Sequence, residues 1–233
     1  MDVGDRTRAR TAGALYLLTF ITSVPTLALY AAVRDHADFV LGAGSPTGVV
    51  TAALLEVALA VTCAATAVTL FPLLRRHSET AAVGFLAARV VEAALILVGV
   101  TSMLAVVSLR DGRAAYEVQS LRVAQRVLVE VYDGTFLLGQ SLMPVISACC
   151  LGTVLLRNGL VPRWIPLLGL AGAPLLLASD VAIACGAYEQ GSPVAGVAAL
   201  PVAGWELALG VTLLLKGFGS APRGRVLSAA AAA

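Results

Sequence analysis

Charge is what this chain has least of. Asp, Glu, Lys and Arg together make up 13% of its 233 residues, where an ordinary soluble domain carries about 25%. Lysine occurs once, at Lys216, and the net charge is only +2. No long basic block is present, so nothing in the charge balance points to nucleic acid or to an acidic soluble partner. Cysteine is scarce too. Cys63, Cys149, Cys150 and Cys185 all fall in apolar runs without a CxxC pair, so no disulfide framework is indicated and each reads as a small buried hydrophobe. The two histidines, His36 and His77, fall on opposite sides of the topology derived below, and no metal site is expected. No GxxxxGK[ST] phosphate loop exists, which excludes nucleotide hydrolysis by that route. GxSxG, DDxxD and HExxH are also missing, and no connection is long enough for a soluble catalytic domain. No cofactor is implied.

What the chain has in excess is apolar surface. Hydrophobic residues make up 59% of it and the mean hydropathy is +0.90, which identifies an integral membrane protein. A bilayer core of about 30 Å needs roughly 20 mostly apolar residues in a helix, because backbone polar groups must be satisfied internally where water is absent. Six stretches qualify: Thr11 to Val33, Gly48 to Leu74, Thr80 to Leu109, Tyr132 to Leu156, Trp164 to Cys185 and Val194 to Leu215. The predicted fold is therefore an all-α polytopic transmembrane helical bundle. The first apolar run is longer than the 7–15 residues of a secretion-signal core, so it is expected to remain as an anchor.

Basic residues resist translocation and so set the orientation. With the N-terminus in the cytoplasm, Arg6, Arg8, Arg10, Arg75, Arg76, Arg157, Arg163, Lys216, Arg223 and Arg225 lie inside, and Arg34, Arg110, Arg113, Arg122 and Arg126 lie outside, ten against five. Both termini are accordingly expected to be cytoplasmic. The expected organisation is a cytoplasmic segment over 1–10, a single transmembrane domain over 11–218 and a disordered tail over 219–233. The third connection, 110–131, places Leu121, Ala124, Leu128 and Val131 at helical spacing opposite Arg122, Gln125, Arg126 and Glu130. It reads either as an interfacial helix or as an extension of the fourth span. Abundant alanine with arginine in place of lysine suggests a GC-rich coding bias and hence a bacterial inner membrane.

Charges inside the spans are the most informative residues. An ionised side chain at a helix centre costs about 2.5–3.5 kcal/mol on insertion scales, and Glu56, Arg89, Glu92, Asp133, Asp180 and Glu206 all fall within spans. Arg89 and Glu92 are three residues apart and share a helix face. Arginine keeps its charge in a membrane, so at least one carboxylate must answer it; Glu92 is the local candidate and Glu206 the candidate from another helix, together a Glu–Arg–Glu cluster. Glu56, Asp180 and Asp133 fall progressively nearer the outer face. They either line an outward cavity floored by that cluster or, for the two aspartates, mark helix ends. Pro25, Pro144, Pro174 and Pro201 permit kinks, and Gln140 and Ser141 beside Pro144 are placed to shape a cavity.

Four segments, "RTAGALYLLTFITSVP", "FPLLRRHSETAAVGFLAARVVEAALILVGV", "LRNGLVPRWIPLLGLAGAPLLL" and "WELALGVTLLLKGF", resemble successive blocks of the bacterial membrane protein family DUF4386, over nearly the whole chain. The resemblance implies a single multi-span domain with Arg89, Glu92 and Glu206 in recurring polar positions, and it implies no activity.

Three readings remain open. In the first, the protein binds or transforms a lipophilic small molecule by acid/base chemistry, an isomerisation or cyclisation. Apolar surroundings favour the neutral form of a carboxyl group, which suits proton donation. Glu206, Glu56 and Glu92 would be the acid/base carboxylates, and Arg89, Gln140 and Asp180 the ligand-binding groups. The second is a small proton-coupled transporter, for which a homo-oligomer is natural. The third is a non-catalytic subunit whose only partners are lipid and other chains.

Overall fold

The computed structural model describes residues 3–219. Among the described residues eight α-helices follow one another: α1 (Val3–Leu29), α2 (Ala31–Arg34), α3 (Pro46–Leu74), α4 (Glu79–Asp111), α5 (Val118–Phe136), α6 (Met143–Asn158), α7 (Trp164–Ala184) and α8 (Pro193–Leu215). A π-helical turn, Leu137–Leu142, joins α5 to α6, so that Val118–Asn158 forms one helical stretch of 41 residues. Among the described residues six helical stretches are long and apolar enough to cross a membrane. The protein is thus an all-helical, multi-pass membrane protein. An even number of crossings puts the start of α1 and the end of α8 on one face, called inner here after the arginine count.

Local chemistry explains the boundaries. Ser45, Ser78 and Ser192 each accept a hydrogen bond from a backbone N–H of the first helical turn, and Pro46 and Pro193 begin α3 and α8, where a missing N–H is harmless. Gly159, at φ 60°, closes α6, and the Leu160 amide donates back to the Leu155 carbonyl. The same turn receives the end of the chain: Gly219 N–H donates to Leu160 O at 2.8 Å and Phe218 is buried beside it. This contact joins the GLVPRW and KGF blocks.

Side-chain polarity is arranged for a lipid solvent. Along α3, Leu54, Val57, Val61 and Val68 point outward, while Glu56, Thr62, Cys63 and Thr66 are buried. The spans close a ring in the order α1, α3, α4, α6, α7, α8 and back to α1, each packing on the next. Two glycines allow the closure. A Cβ on Gly13 of α1 would strike the backbone of Gly210 and Leu214, and one on Gly210 would lie 2.9 Å from Tyr16 Cβ. The two helices therefore touch backbone to backbone. Gly169 has a different role, lying flat under the Trp205 indole.

Three features depart from the simplest reading of the sequence. Helix α1 is already formed at Val3, inward of Thr11, with Asp5 pairing with Arg76 at 2.6 Å and Ala9 and Ala12 entering the core. Residues 118–131 are helical and continuous with the fourth span; at 1.5 Å per residue this stretch is about 60 Å long, so its first turns project past the bilayer core. The four outer arginines of the third connection are not all free charges. Arg122 pairs with Asp38, and Arg110, 9% exposed, donates to the carbonyls of Phe39, Gly42, Ala43 and Gly44 while stacking 4.7 Å from the Phe39 ring. Arg34 of the first connection pairs with Asp133 at 3.0 Å. An arginine holding four carbonyls acts as loop scaffolding, which accounts for its presence against the orientation rule. The tail expected over 219–233 lies, beyond Gly219, outside the described residues.

Two expectations follow. Gly210→Ala forces α1 and α8 apart and lowers unfolding free energy by about 1–3 kcal/mol, whereas Gly204→Ala, whose Cβ would meet Leu168 at an ordinary 3.6 Å, is neutral within about 0.5 kcal/mol; denaturant titration in mixed micelles distinguishes them. Arg110→Met frees the loop 39–44, so its amides exchange hydrogen faster by mass spectrometry while those of α3 are unchanged.

Candidate functional site

The ring encloses a polar layer. From α4, Arg89 reaches the interior with only 1% of its side chain exposed, and its Nη1 donates to Glu92 Oε2 at 2.9 Å and to Glu206 Oε1 of α8 at 3.4 Å. Arg89 begins the eleventh position of α4 and Glu206 the tenth from the end of α8. The two helices run in opposite directions, so these positions meet at one depth. The guanidinium also lies 5.3 Å from the centre of the Tyr16 ring on α1, a cation–π contact. From α3, the Cys63 thiol donates to Glu92 Oε1 at 3.6 Å. Four helices thus place a side chain against the same cluster.

The arginine is incompletely used. Both carboxylates meet Nη1, and Arg89 Nε and Nη2 are buried without a hydrogen-bond partner, as are Tyr16 Oη and Trp205 Nε1. Beside them is a cavity of about 160 Å³ lined by Thr19, Ser23, Cys63, Arg89, Glu92, Gln140 and Glu206, with Phe20, Leu59, Pro144 and Ala203 as its apolar wall. Proline chemistry puts Gln140 there. Pro144 has no N–H to offer the carbonyl four residues before it, which is that of Gln140. The helix widens into the π turn at this point, a distortion common at functional sites.

The other candidates are placed differently. Glu56 is fully buried, but it accepts from Tyr132 Oη at 2.7 Å and from Tyr30 Oη at 3.3 Å and does not line the cavity. The Gln140 amide, which lines the cavity, lies near Glu56. Asp180 of α7 accepts from Ser141 Oγ at 2.6 Å, and its Oδ2 is buried and unpartnered. Asp133 is engaged by Arg34 and lines a wide outer groove, which neither Glu56 nor Asp180 lines. The three outer carboxylates therefore do not share one cavity. Glu56 is met by two tyrosine hydroxyls, Asp133 by the Arg34 guanidinium, and Asp180 by Ser141 through Oδ1 alone.

Residues the sequence does not flag complete the layer. Cys63 reads as a core hydrophobe and Tyr16 as one aromatic in an apolar run, yet both touch the charged cluster. The available signal is depth: Cys63 is the twelfth residue from the end of α3, close to the levels of Arg89 and Glu206.

Arg89→Leu leaves two carboxylates in the bundle without their cation and is expected to destabilise by about 3–5 kcal/mol. Replacing all three groups, Arg89→Leu, Glu92→Leu and Glu206→Leu together, restores most of that stability in the same unfolding titration, since the charged cluster itself contributes little net free energy.

No curated protein and no solved structure matches the chain. The family described as domain of unknown function (DUF4386) matches residues 11–217, which include the last five spans whole, the first from Thr11 onward, and every residue of the buried layer. The chain belongs to the DUF4386 family.

Proposed function

We propose that the protein, in a bacterial cytoplasmic membrane, binds the polar end of a lipophilic small molecule at Arg89, Glu92 and Glu206 and transforms it by acid/base chemistry. The observation that carries this reading is a buried guanidinium with Nε and Nη2 unpartnered, lining the same cavity as two carboxyl groups. Two adjacent donors on one edge of a guanidinium fit a carbonyl or carboxylate oxygen pair. Glu92, closer to Arg89 and held by Cys63, keeps that guanidinium oriented. Glu206, on the longer contact, is the exchanging acid/base group. The charge count supports the assignment: one guanidinium balances one carboxylate, and the second carboxyl group is neutral when it carries a proton.

Cavity size narrows the chemistry. A space of about 160 Å³ is close to the roughly 150 Å³ hole that holds a benzene ring. It admits a polar head of a few heavy atoms, with the rest of the molecule outside it. Isomerisation at that polar end is the simplest such reaction: a proton is removed at one carbon, returned at another, and no co-reactant is consumed.

A proton-coupled transporter is the second reading, favoured by Gln140, which lines the cavity and lies near Glu56 and its two tyrosine hydroxyls. Against it, Glu56 and Asp180 both fall in the outer half of their spans, not at the mirrored depths an inverted three-helix repeat requires. A homo-oligomer is compatible with both readings.

The test compares wild type with Glu206→Gln and Arg89→Lys in nanodiscs made from native lipid extract. Glu206→Gln is expected to stay folded, keep its bound lipophile by mass spectrometry and lose turnover about 10²–10⁴-fold; Arg89→Lys is expected to lose the lipophile. Undiminished product formation by Glu206→Gln contradicts the enzyme reading. Proton flux that follows an imposed gradient in liposomes, abolished by Glu206→Gln, establishes the transporter instead.

A further inference from the structure

Basic residues at the inner face outnumber the carboxylates that could answer them. Among the described residues the acids at that face are Asp5 and Glu79. Asp5 is committed to Arg76 at 2.6 Å and to Arg8 at 3.8 Å, and Glu79 opens α4, which is no ring neighbour of α1, α7 or α8. Arg75 lies 5.9 Å from the centre of the Phe71 ring. Arg10, Arg163 and Lys216 are exposed, and none of them takes part in an ion pair among the described residues.

The fold gathers these three cations at one corner. In the ring, α8 lies between α1 and α7. Gly13 of α1 meets the Leu214 backbone of α8, so Arg10, nearly one turn inward, is level with the end of α8 and with Lys216. On the other side, the Gly219 N–H donates to Leu160 O at 2.8 Å, which holds the turn before α7 against the residues that follow α8. Arg163 immediately precedes α7 and Lys216 immediately follows α8. Capping does not account for Arg163: it stands at the helix end whose dipole disfavours a cation, and its side chain makes no capping bond. Beside it Trp164 is 59% exposed, as befits an indole at headgroup level. Deeper in the span, Leu167, one turn on from Arg163, and Leu215, next to Lys216, are 51% and 67% exposed. From water toward hydrocarbon the corner presents cations, an indole and bare aliphatic surface, the same order as phosphate, glycerol backbone and acyl chain in a phospholipid.

We propose that the corner formed by Arg10, Arg163 and Lys216 is the docking site of an anionic phospholipid of the inner leaflet, whose phosphodiester the three cations share while its chains lie along Leu167 and Leu215. The guanidinium groups suit paired phosphate oxygens and the lysine adds a point charge. An anionic head is selected over a zwitterionic one, because a choline or ethanolamine ammonium would meet cations at this corner and no carboxylate.

The test titrates the full chain, in micelles of an uncharged detergent, with dioleoyl phosphatidylglycerol or dioleoyl phosphatidylcholine and counts bound lipid by native mass spectrometry. The first phosphatidylglycerol is expected to bind more tightly than phosphatidylcholine, and each cation removed from the corner should weaken it about fivefold. Arg163→Gln with Lys216→Gln then costs about 25-fold and Arg10→Gln about fivefold, at the same factor per cation. Arg8→Gln with Arg75→Gln removes equal charge from the same face away from the corner, and screening should hold its effect to about twofold. A second readout needs no variant at the cations. Phosphatidylglycerol brominated on its chains should quench Trp164 emission saturably, and Trp164→Phe should abolish that component, since Trp205 is fully buried. The substituted side chains are all exposed, and matching size-exclusion profiles exclude misfolding. Equal losses in the two double variants reduce the corner to part of a diffuse basic face and overturn the proposal. So does phosphatidylcholine binding as tightly as phosphatidylglycerol, or quenching of Trp164 equally by brominated phosphatidylcholine.

Discussion

A guanidinium cannot shed its charge inside a bilayer, and the rest of the bundle is organised around that constraint. Arg89 is 1% exposed in the middle of a ring of apolar helices. Leaving such a group unpaired costs several kcal/mol, so the fold must bring acid to it. Glu92 comes from the same helix face at a spacing of three residues, and Glu206 comes from the last span, 117 residues away in sequence. The second contact requires α8 to close the ring against α1 at the depth of Arg89. In this sense the ion cluster specifies register among helices whose apolar surfaces would otherwise slide over one another with little preference.

Close packing supplies the register's rigidity. Gly13 and Gly210 let α1 and α8 meet backbone to backbone, which brings the Tyr16 ring over the guanidinium. Gly169 makes room for the Trp205 indole one residue before Glu206, fixing the direction in which that carboxylate points. On the opposite side of the ring, Pro144 and the π turn break the regular helix and turn Gln140 and Ser141 toward polar partners. The outcome is a tightly packed inner half containing a small polar cavity, beneath an outer half that spreads into a groove.

Much of this was legible in the sequence, because lipid simplifies the code. Six apolar runs gave six spans, since a helix is the only way for an open segment to satisfy its backbone in hydrocarbon. Arg89, Glu92 and Glu206 stood out because charge there is expensive. Other features were hidden for physical reasons. Arg110 looks like a loop charge, and only the path of residues 39–44 turns it into a four-carbonyl clamp. Glu56 is the same residue type as Glu206 and is also buried, but two tyrosine hydroxyls, from the α1–α2 junction and from α5, satisfy it away from the cavity. Cys63 and Tyr16 carry no signal by type; their roles come from the depth at which ring closure places them. Sequence periodicity shows which face of a helix is polar, and only the assembled bundle shows which faces meet.

The most direct test of the account is a solid-state NMR measurement, in lipid bilayers, of the distances from the labelled Arg89 guanidinium to the side-chain carboxyl carbons of Glu92 and Glu206. Dipolar contact to both is expected, corresponding to the Nη1–oxygen separations of 2.9 and 3.4 Å. An Arg89 signal coupled instead to lipid phosphate or exchanging freely with bulk water, with neither carboxyl carbon nearby, would contradict the claim that this buried ion cluster organises the protein.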